Sequence, residues 1–195
     1  MLAYSTFGQI GFILIGIGWG TPLALIGAIV YAFNHSFIKS ALLMITGAIA
    51  SRMPNKSAAL VDIAGAGRSL GALSILYLLG GLALTGIPPL NGFISKLTIV
   101  QGGIQAQSWI VLGLAVSAGL ITLLYMSRTW QHIFQKSPDA TLKLKPVGDS
   151  IIAPALLISL CVLLGLYAVP LIEAATIAVA RLGNPNIYIH AVLGG

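Results

Sequence analysis

The sequence predicts an all-α integral membrane protein of about five transmembrane helices, one of them discontinuous. Three observations carry this. The chain is 57% hydrophobic and only 7% charged, where a soluble domain averages roughly a quarter charged residues. Uncharged stretches long enough to span a bilayer recur along its whole length. One of them contains a double proline, Pro88-Pro89. So few ionised side chains cannot cover a water-facing surface, and residues 1–195 read as a single membrane domain with no soluble domain.

The elements follow in order. Leu2 to Trp19 is apolar from the start and has no basic leader, so it reads as a membrane helix and not a cleaved signal. Gly20-Thr21-Pro22 allows only a tight helical hairpin into the second helix, Pro22 to Ser51. The third segment, Ser69 to Gly103, carries the prolines. The fourth, Ser108 to Ser127, and the fifth, Ser150 to Ile172, are uncharged throughout. The lone Cys161 excludes an intramolecular disulfide and reads as packing.

Charge placement orients the chain. The net charge of +6 comes from basic residues scattered in short loops, which fits membrane topology and not nucleic-acid binding. Loops 52–68 and 128–149 are the charged ones. If Ser69 to Gly103 crosses once, as a broken helix, both fall on one side. The positive-inside tendency then makes both cytoplasmic and puts the C-terminal tail outside. A straight helix rising about 1.5 Å per residue from Ser69 would carry Lys96 beyond a core about 30 Å thick. The segment must therefore tilt or begin outside the core.

Lys96 is the most informative residue. Pro88 and Pro89 lack the amide donor and should interrupt the helix and free backbone carbonyls, with Gly92 following closely. Such a break is tolerated in a bilayer only where protein or a wet cavity supplies partners. A lysine there costs roughly 2.5–3.5 kcal/mol on insertion scales, which points to an ion-related role. The bland alternative is a lysine near a helix end whose amine snorkels to the headgroups.

The second helix adds Tyr31, Asn34, His35 and Lys39. His35 and Lys39 stand at i and i+4, and Tyr31 extends the same face by a turn. Histidine titrates near neutral pH, so two such groups with water between them could pass a proton in small steps. The competing reading is a polar seam that only bonds neighbouring helices. Ser5 with Gln9, and Thr122 with Tyr125, are read as makers of interhelical hydrogen bonds, with Tyr31, Asn34, Thr122 and Tyr125 as possible polar supports of the line. Glu173 and Arg181 are read as interfacial. His132 and His190 have no carboxylate or cysteine at ligand spacing, so no metal site is expected. No phosphate loop, iron–sulfur cysteine set or nucleophile signature is present, so no cofactor and no catalysis are expected.

Three stretches in order resemble the antiporter-like subunits shared by Mrp-type cation/proton antiporters and respiratory complex I. Leu2-Ala3-Tyr4-Ser5-Thr6 with Gln9-Ile10-Gly11-Phe12 is similar to the family's "LAYSS…QxG" helix. Asn34-His35-Ser36-Phe37-Ile38-Lys39-Ser40-Ala41-Leu42-Leu43 resembles "NHALFKALL". Gly86-Ile87-Pro88-Pro89-Leu90-Asn91-Gly92-Phe93-Ile94-Ser95-Lys96 resembles "GIPPLSGFxxK" on the broken twelfth helix. The closing Asn186-Ile187-Tyr188-Ile189-His190-Ala191-Val192-Leu193 resembles the end of the Mrp D-type polypeptide. That tail, with lysine and not glutamate at position 96, favours the Mrp D type.

The resemblance implies that Lys39 and Lys96 belong to a hydrophilic axis carrying protons, with His35 as relay. It implies the C-terminal helices of a fourteen-helix subunit in a bacterial cell (inner) membrane. Partners would be the other subunits of a multisubunit assembly, including the missing N-terminal helices from the same or a second polypeptide, with H+ and Na+ as the ions. The expected function is a subunit of a Na+/H+ antiporter, a transporter and not an enzyme. The alternatives are a proton-pumping subunit of a complex I-like NADH or ferredoxin:quinone oxidoreductase, and a structural membrane subunit.

Overall fold

The computed structural model describes residues 1–137, 144–183 and 192, and among these every regular element is helical. The expected loop residues Asp139 and Lys143, and the stretch 186–191 and 193 of the tail, lie outside the described residues. Helix α1 is Leu2–Trp19 and α2 is Pro22–Arg52. A 3-10 turn, Ala66–Ser69, leads into α3, Gly71–Thr85; α4 is Asn91–Gln105. Helix α5, Trp109–Trp130, runs on through a π-turn to Gln135. Helices α6, Ile152–Leu166, and α7, Val169–Leu182, complete the fold.

The α1–α2 hairpin forms as its sequence dictates. Gly20 takes the left-handed conformation at φ 63°, which ends α1 without a Cβ clash. Thr21 then caps α2 by accepting from the Ala24 amide at 3.3 Å, and Pro22 occupies the first turn, where no donor is needed. Helix α2 is the central post and packs most extensively against α4. Gly27 and Gly102 permit that approach, since a Cβ at either would meet backbone of Ile99 or Ala24. The main apolar core gathers Leu42, Ile45 and Ile49 of α2 with Tyr77, Leu84, Met126 and Ile158. Cys161 is buried in the same cluster. Large apolar side chains such as Phe7, Leu14, Ile121 and Leu124 stay exposed, as a lipid-facing surface requires.

The two charged loops lie at one end of the bundle. The Lys145 amide donates to the Arg52 carbonyl at 2.8 Å, and the Asp149 amide to Ser51 Oγ at 2.9 Å. From the other loop, Gly65 N–H donates to the His132 carbonyl at 2.9 Å, at the end of α5. At the opposite end Thr21 Oγ1 donates to the Gly102 carbonyl at 3.2 Å. Helices α3 and α4 together therefore cross the bundle once, in two pieces.

The fifth segment differs from its sequence reading. Ser150 to Ile172 is not one uninterrupted crossing: α6 stops at Leu166 and α7 leaves at 75°. Pro170 explains the break, because it offers no amide to the Leu166 carbonyl one turn earlier. The broken third and fifth segments meet at their breaks. A Cβ on Gly165 would press on the Pro89 carbonyl and on the Leu90 and Asn91 backbone. Gly165→Ala is therefore expected to lower stability by about 1–3 kcal/mol, as overpacking of a filled interior does, read as a reduced melting temperature of the solubilised complex.

Candidate functional site

The double proline determines which backbone groups are freed. In a continuing helix the carbonyls of Leu84 and Thr85 would accept from the amides of residues 88 and 89, and both are prolines. Helix α3 instead closes on Gly86, at φ 88°, whose N–H bonds the Leu82 and Ala83 carbonyls. That leaves the oxygens of Leu84 and Thr85 open. Lys96, from the second turn of α4, fills the gap: its Nζ donates to Leu84 O at 2.9 Å and to Thr85 O at 3.1 Å. Gly92 lets α4 come this close, because a Cβ there would strike the Ala83 carbonyl oxygen.

The break also resolves the length problem. Lys96 reaches back to the end of α3, and the 15 residues of α3 span only about 22 Å at ~1.5 Å each. Its ammonium further lies over the Phe12 ring at 4.5 Å and near the Tyr31 ring at 5.6 Å. Two carbonyls and two aromatic faces thus replace the water that a lysine loses on burial.

Helix α2 supplies the rest. Lys39, only 7% exposed, donates to Ser5 Oγ of α1. His35, 8% exposed, has a buried Nε2 with no partner among the described residues. The Tyr31 ring stands 5.9 Å from that of His35, and its hydroxyl donates to Gln9 Oε1. Asn34 Nδ2 donates to the Asn91 carbonyl at 3.2 Å and to Ser95 Oγ at 3.1 Å; Asn91 Nδ2 returns a bond to Asn34 Oδ1 at 3.1 Å. Thr122 and Tyr125 of α5 accept from Gln9 Nε2 at 3.2 and 3.4 Å.

The structure therefore gathers Tyr31, Asn34, His35, Lys39 and Lys96 between α1, α2 and α4, with Thr122 and Tyr125 one residue further out through Gln9. Glu173 and His132 stand apart, and His132 Nε2 lies 3.1 Å from the Leu60 carbonyl. Asp62, Asp149 and Glu173 are exposed, so among the described residues no carboxylate enters the cluster. Sequence reasoning did not single out Phe12, Asn91 or Ser95. The i, i+4 spacing of Asn91 and Ser95, next to a lysine on α4, was the available signal. The double proline predicted that backbone carbonyls would be freed; the structure identifies them as those of Leu84 and Thr85.

An apolar helical bundle, with a broken helix pair closed by a partly buried lysine and buried polar side chains beside it, fits the antiporter-like class of membrane subunit. Residues 1–122 match the family described as NADH:quinone oxidoreductase/Mrp antiporter, TM, and the chain belongs to that family. The D-type polypeptide of the Na(+)/H(+) antiporter of Alkalihalophilus pseudofirmus is 29% identical over 196 residues, covering 99% of this chain and 39% of its own length. The N-type polypeptide of the NADH-quinone oxidoreductase of Desulforudis audaxviator is 29% identical over 136 residues, or 70% of this chain and 27% of its own. Among solved structures, the Mrp complex from Dietzia sp. contains a polypeptide that matches 98% of this one with a TM-score of 0.80 and 26% identity; 44% of that polypeptide is covered. This chain thus spans less than half the length of each of these relatives.

Proposed function

We propose that this chain is the ion-translocating C-terminal part of a multisubunit Na+/H+ antiporter, moving protons along Lys39, His35 and Lys96. The observation that carries the reading is Lys96, held on the two carbonyls that Pro88 and Pro89 leave open. An ammonium so placed can release a proton and take one up without leaving the bundle. Lys39 and His35, a turn apart on α2, give that proton somewhere to come from or go to. Similarity over 99% of the chain to a Na(+)/H(+) antiporter polypeptide supports antiport. The remaining helices of the subunit, and the other subunits, would act as partners.

The test uses the assembled complex in vesicles without any electron donor. Antiport predicts that added Na+ collapses a preset pH gradient. A complex I-like role, which the similarity to an NADH-quinone oxidoreductase polypeptide keeps in view, predicts proton movement only when a reduced donor and quinone are supplied.

The same reading orients the chain, with both charged loops cytoplasmic in a bacterial cell membrane. Cysteines at Ser57 and Val147, in a Cys161→Ser background, are expected to resist a membrane-impermeant thiol reagent in intact cells and to react after permeabilisation. Labelling of both in intact cells would reverse that orientation, and labelling of one alone would mean that Ser69 to Gly103 crosses twice.

A further inference from the structure

We infer that Phe12 of α1 is the third partner of the Lys96 ammonium and sets how readily that group exchanges its proton. An ammonium carries three N–H donors. Two of them go to the Leu84 and Thr85 carbonyls, at 2.9 and 3.1 Å. The third engages no hydrogen-bond acceptor among the described residues. Nζ instead lies over the Phe12 ring, 4.5 Å from its centroid. The face of a benzene ring is the negative part of its quadrupole, and it attracts a cation most where water is excluded.

The ring is held for this contact by its neighbours. Phe12 is 5% exposed and shares its buried cluster with Tyr31 of α2, Ile99 of α4 and Ala115 of α5. Tyr31 meets it near-perpendicularly, with centroids 6.0 Å apart and planes at 77°, the arrangement aromatic pairs favour. The Tyr31 hydroxyl is in turn fixed on Gln9, one turn before Phe12 on α1. The Tyr31 ring also attends the ammonium, but from farther off, at 5.6 Å. Whatever its protonation state, Lys96 therefore meets the Phe12 ring in the same place.

The contact depends on charge in a way the carbonyl contacts do not. When a proton leaves along the line proposed above, on which this inference rests, the electron pair of its N–H bond stays on Nζ. The amine keeps two N–H groups for the two carbonyls and turns that electron pair to the ring face, where negative meets negative. The carbonyls can hold both states, whereas the ring attracts only the charged one. Phe12 is thus the partner that discriminates between them.

The test replaces Phe12 by mono-, di- and trifluorinated phenylalanine in the assembled complex, through suppression of a stop codon. Ring fluorines withdraw electron density from the face and leave the shape nearly unchanged. Transport in vesicles, normalised to assembled complex, is read against pH. The pH of half-maximal rate is expected to move stepwise, in one direction, with each added fluorine. The whole series should span on the order of one pH unit, the scale of a desolvated cation–π contact. Phe12→Leu, which keeps apolar bulk but offers no π face, should fall at the far end. The titratable groups on the helices around α4 are Tyr31, His35 and Lys39 on α2, Tyr77 on α3, Tyr125 on α5 and Cys161 on α6. None of them changes along the series.

Assembled fluorinated complexes whose profiles all coincide with the unaltered one would overturn the inference and reduce Phe12 to packing. So would failure of the fluorinated complexes to assemble, since shape and not electron density would then govern the site. The outcome for the proton line is read separately. Near-normal transport by Lys96→Ala would sink the line itself. An inactive Lys96→Ala beside a flat fluorine series would leave the line standing and remove only the role of Phe12.

Discussion

Lys96→Ala is expected to leave the complex assembled and to abolish its ion transport. Assembly should survive because the α3 stop does not depend on the lysine: Gly86 and Ile87 amides close the helix on Leu82 and Ala83 by themselves. The main apolar core is built on other residues, chiefly Leu42, Ile45, Leu84 and Ile158. What disappears is the one charge that sits on the Leu84 and Thr85 carbonyls. The lost pairing leaves two carbonyls open, a penalty of about 1–3 kcal/mol each if water cannot reach them, so a modest drop in melting temperature is expected alongside. Transport in vesicles, normalised to assembled complex on native gels, is the measurement. Lys96→Arg keeps the charge but not the proton exchange, since a guanidinium stays protonated; it should assemble better than Ala and transport no better. Near-normal antiport by either variant would remove the lysine from the mechanism.

The second large effect is expected on α2. Lys39→Ala should reduce transport more than His35→Ala, because it removes a charge held by Ser5 inside the bundle. His35→Ala should slow transport and change its pH profile, because the ionisable group between the two lysines is lost. Rates across about pH 5–9 in the assembled complex, roughly two units either side of neutrality, separate the two variants. If both instead lower the yield of complex while the survivors transport at the normal rate with an unchanged profile, the polar face of α2 is there to dock helices.

Much of this architecture was legible because bilayer physics leaves few options. An uncharged stretch of spanning length must be helical to satisfy its own backbone, so α1, α2 and α5 could be read to within a few residues. The α1–α2 turn was fixed by Gly20, Thr21 and Pro22 in succession. Pro88-Pro89 located the first break because two missing donors in a row cannot be ignored. Pro170 was overlooked for a related reason: a single proline in an apolar run is often absorbed as a kink, and the nearby Glu173 was read as interfacial. The partners of the cluster were the least legible part. That Gln9 faces Tyr31 on one side and α5 on the other depends on how three helices are rotated about their axes. Periodicity in a uniformly apolar helix gives little clue to rotation, since no polar face marks the outside.

The meeting of the two breaks at Gly165 has an electrical consequence. Each short helix ends in unpaired backbone groups equivalent to roughly half a charge, negative at its C-terminus and positive at its N-terminus. Gly165, in the last turn of α6, lies against Leu90 and Asn91, where α4 begins. The negative pole of α6 therefore faces the positive pole of α4. The negative pole of α3 is answered by a side chain, the Lys96 ammonium. Two opposed poles are balanced by backbone, which cannot be switched off, and one by a group that can lose its proton. Discharge of Lys96 would thus expose a fixed negative potential at the end of α3, which would draw the next proton back to the same place.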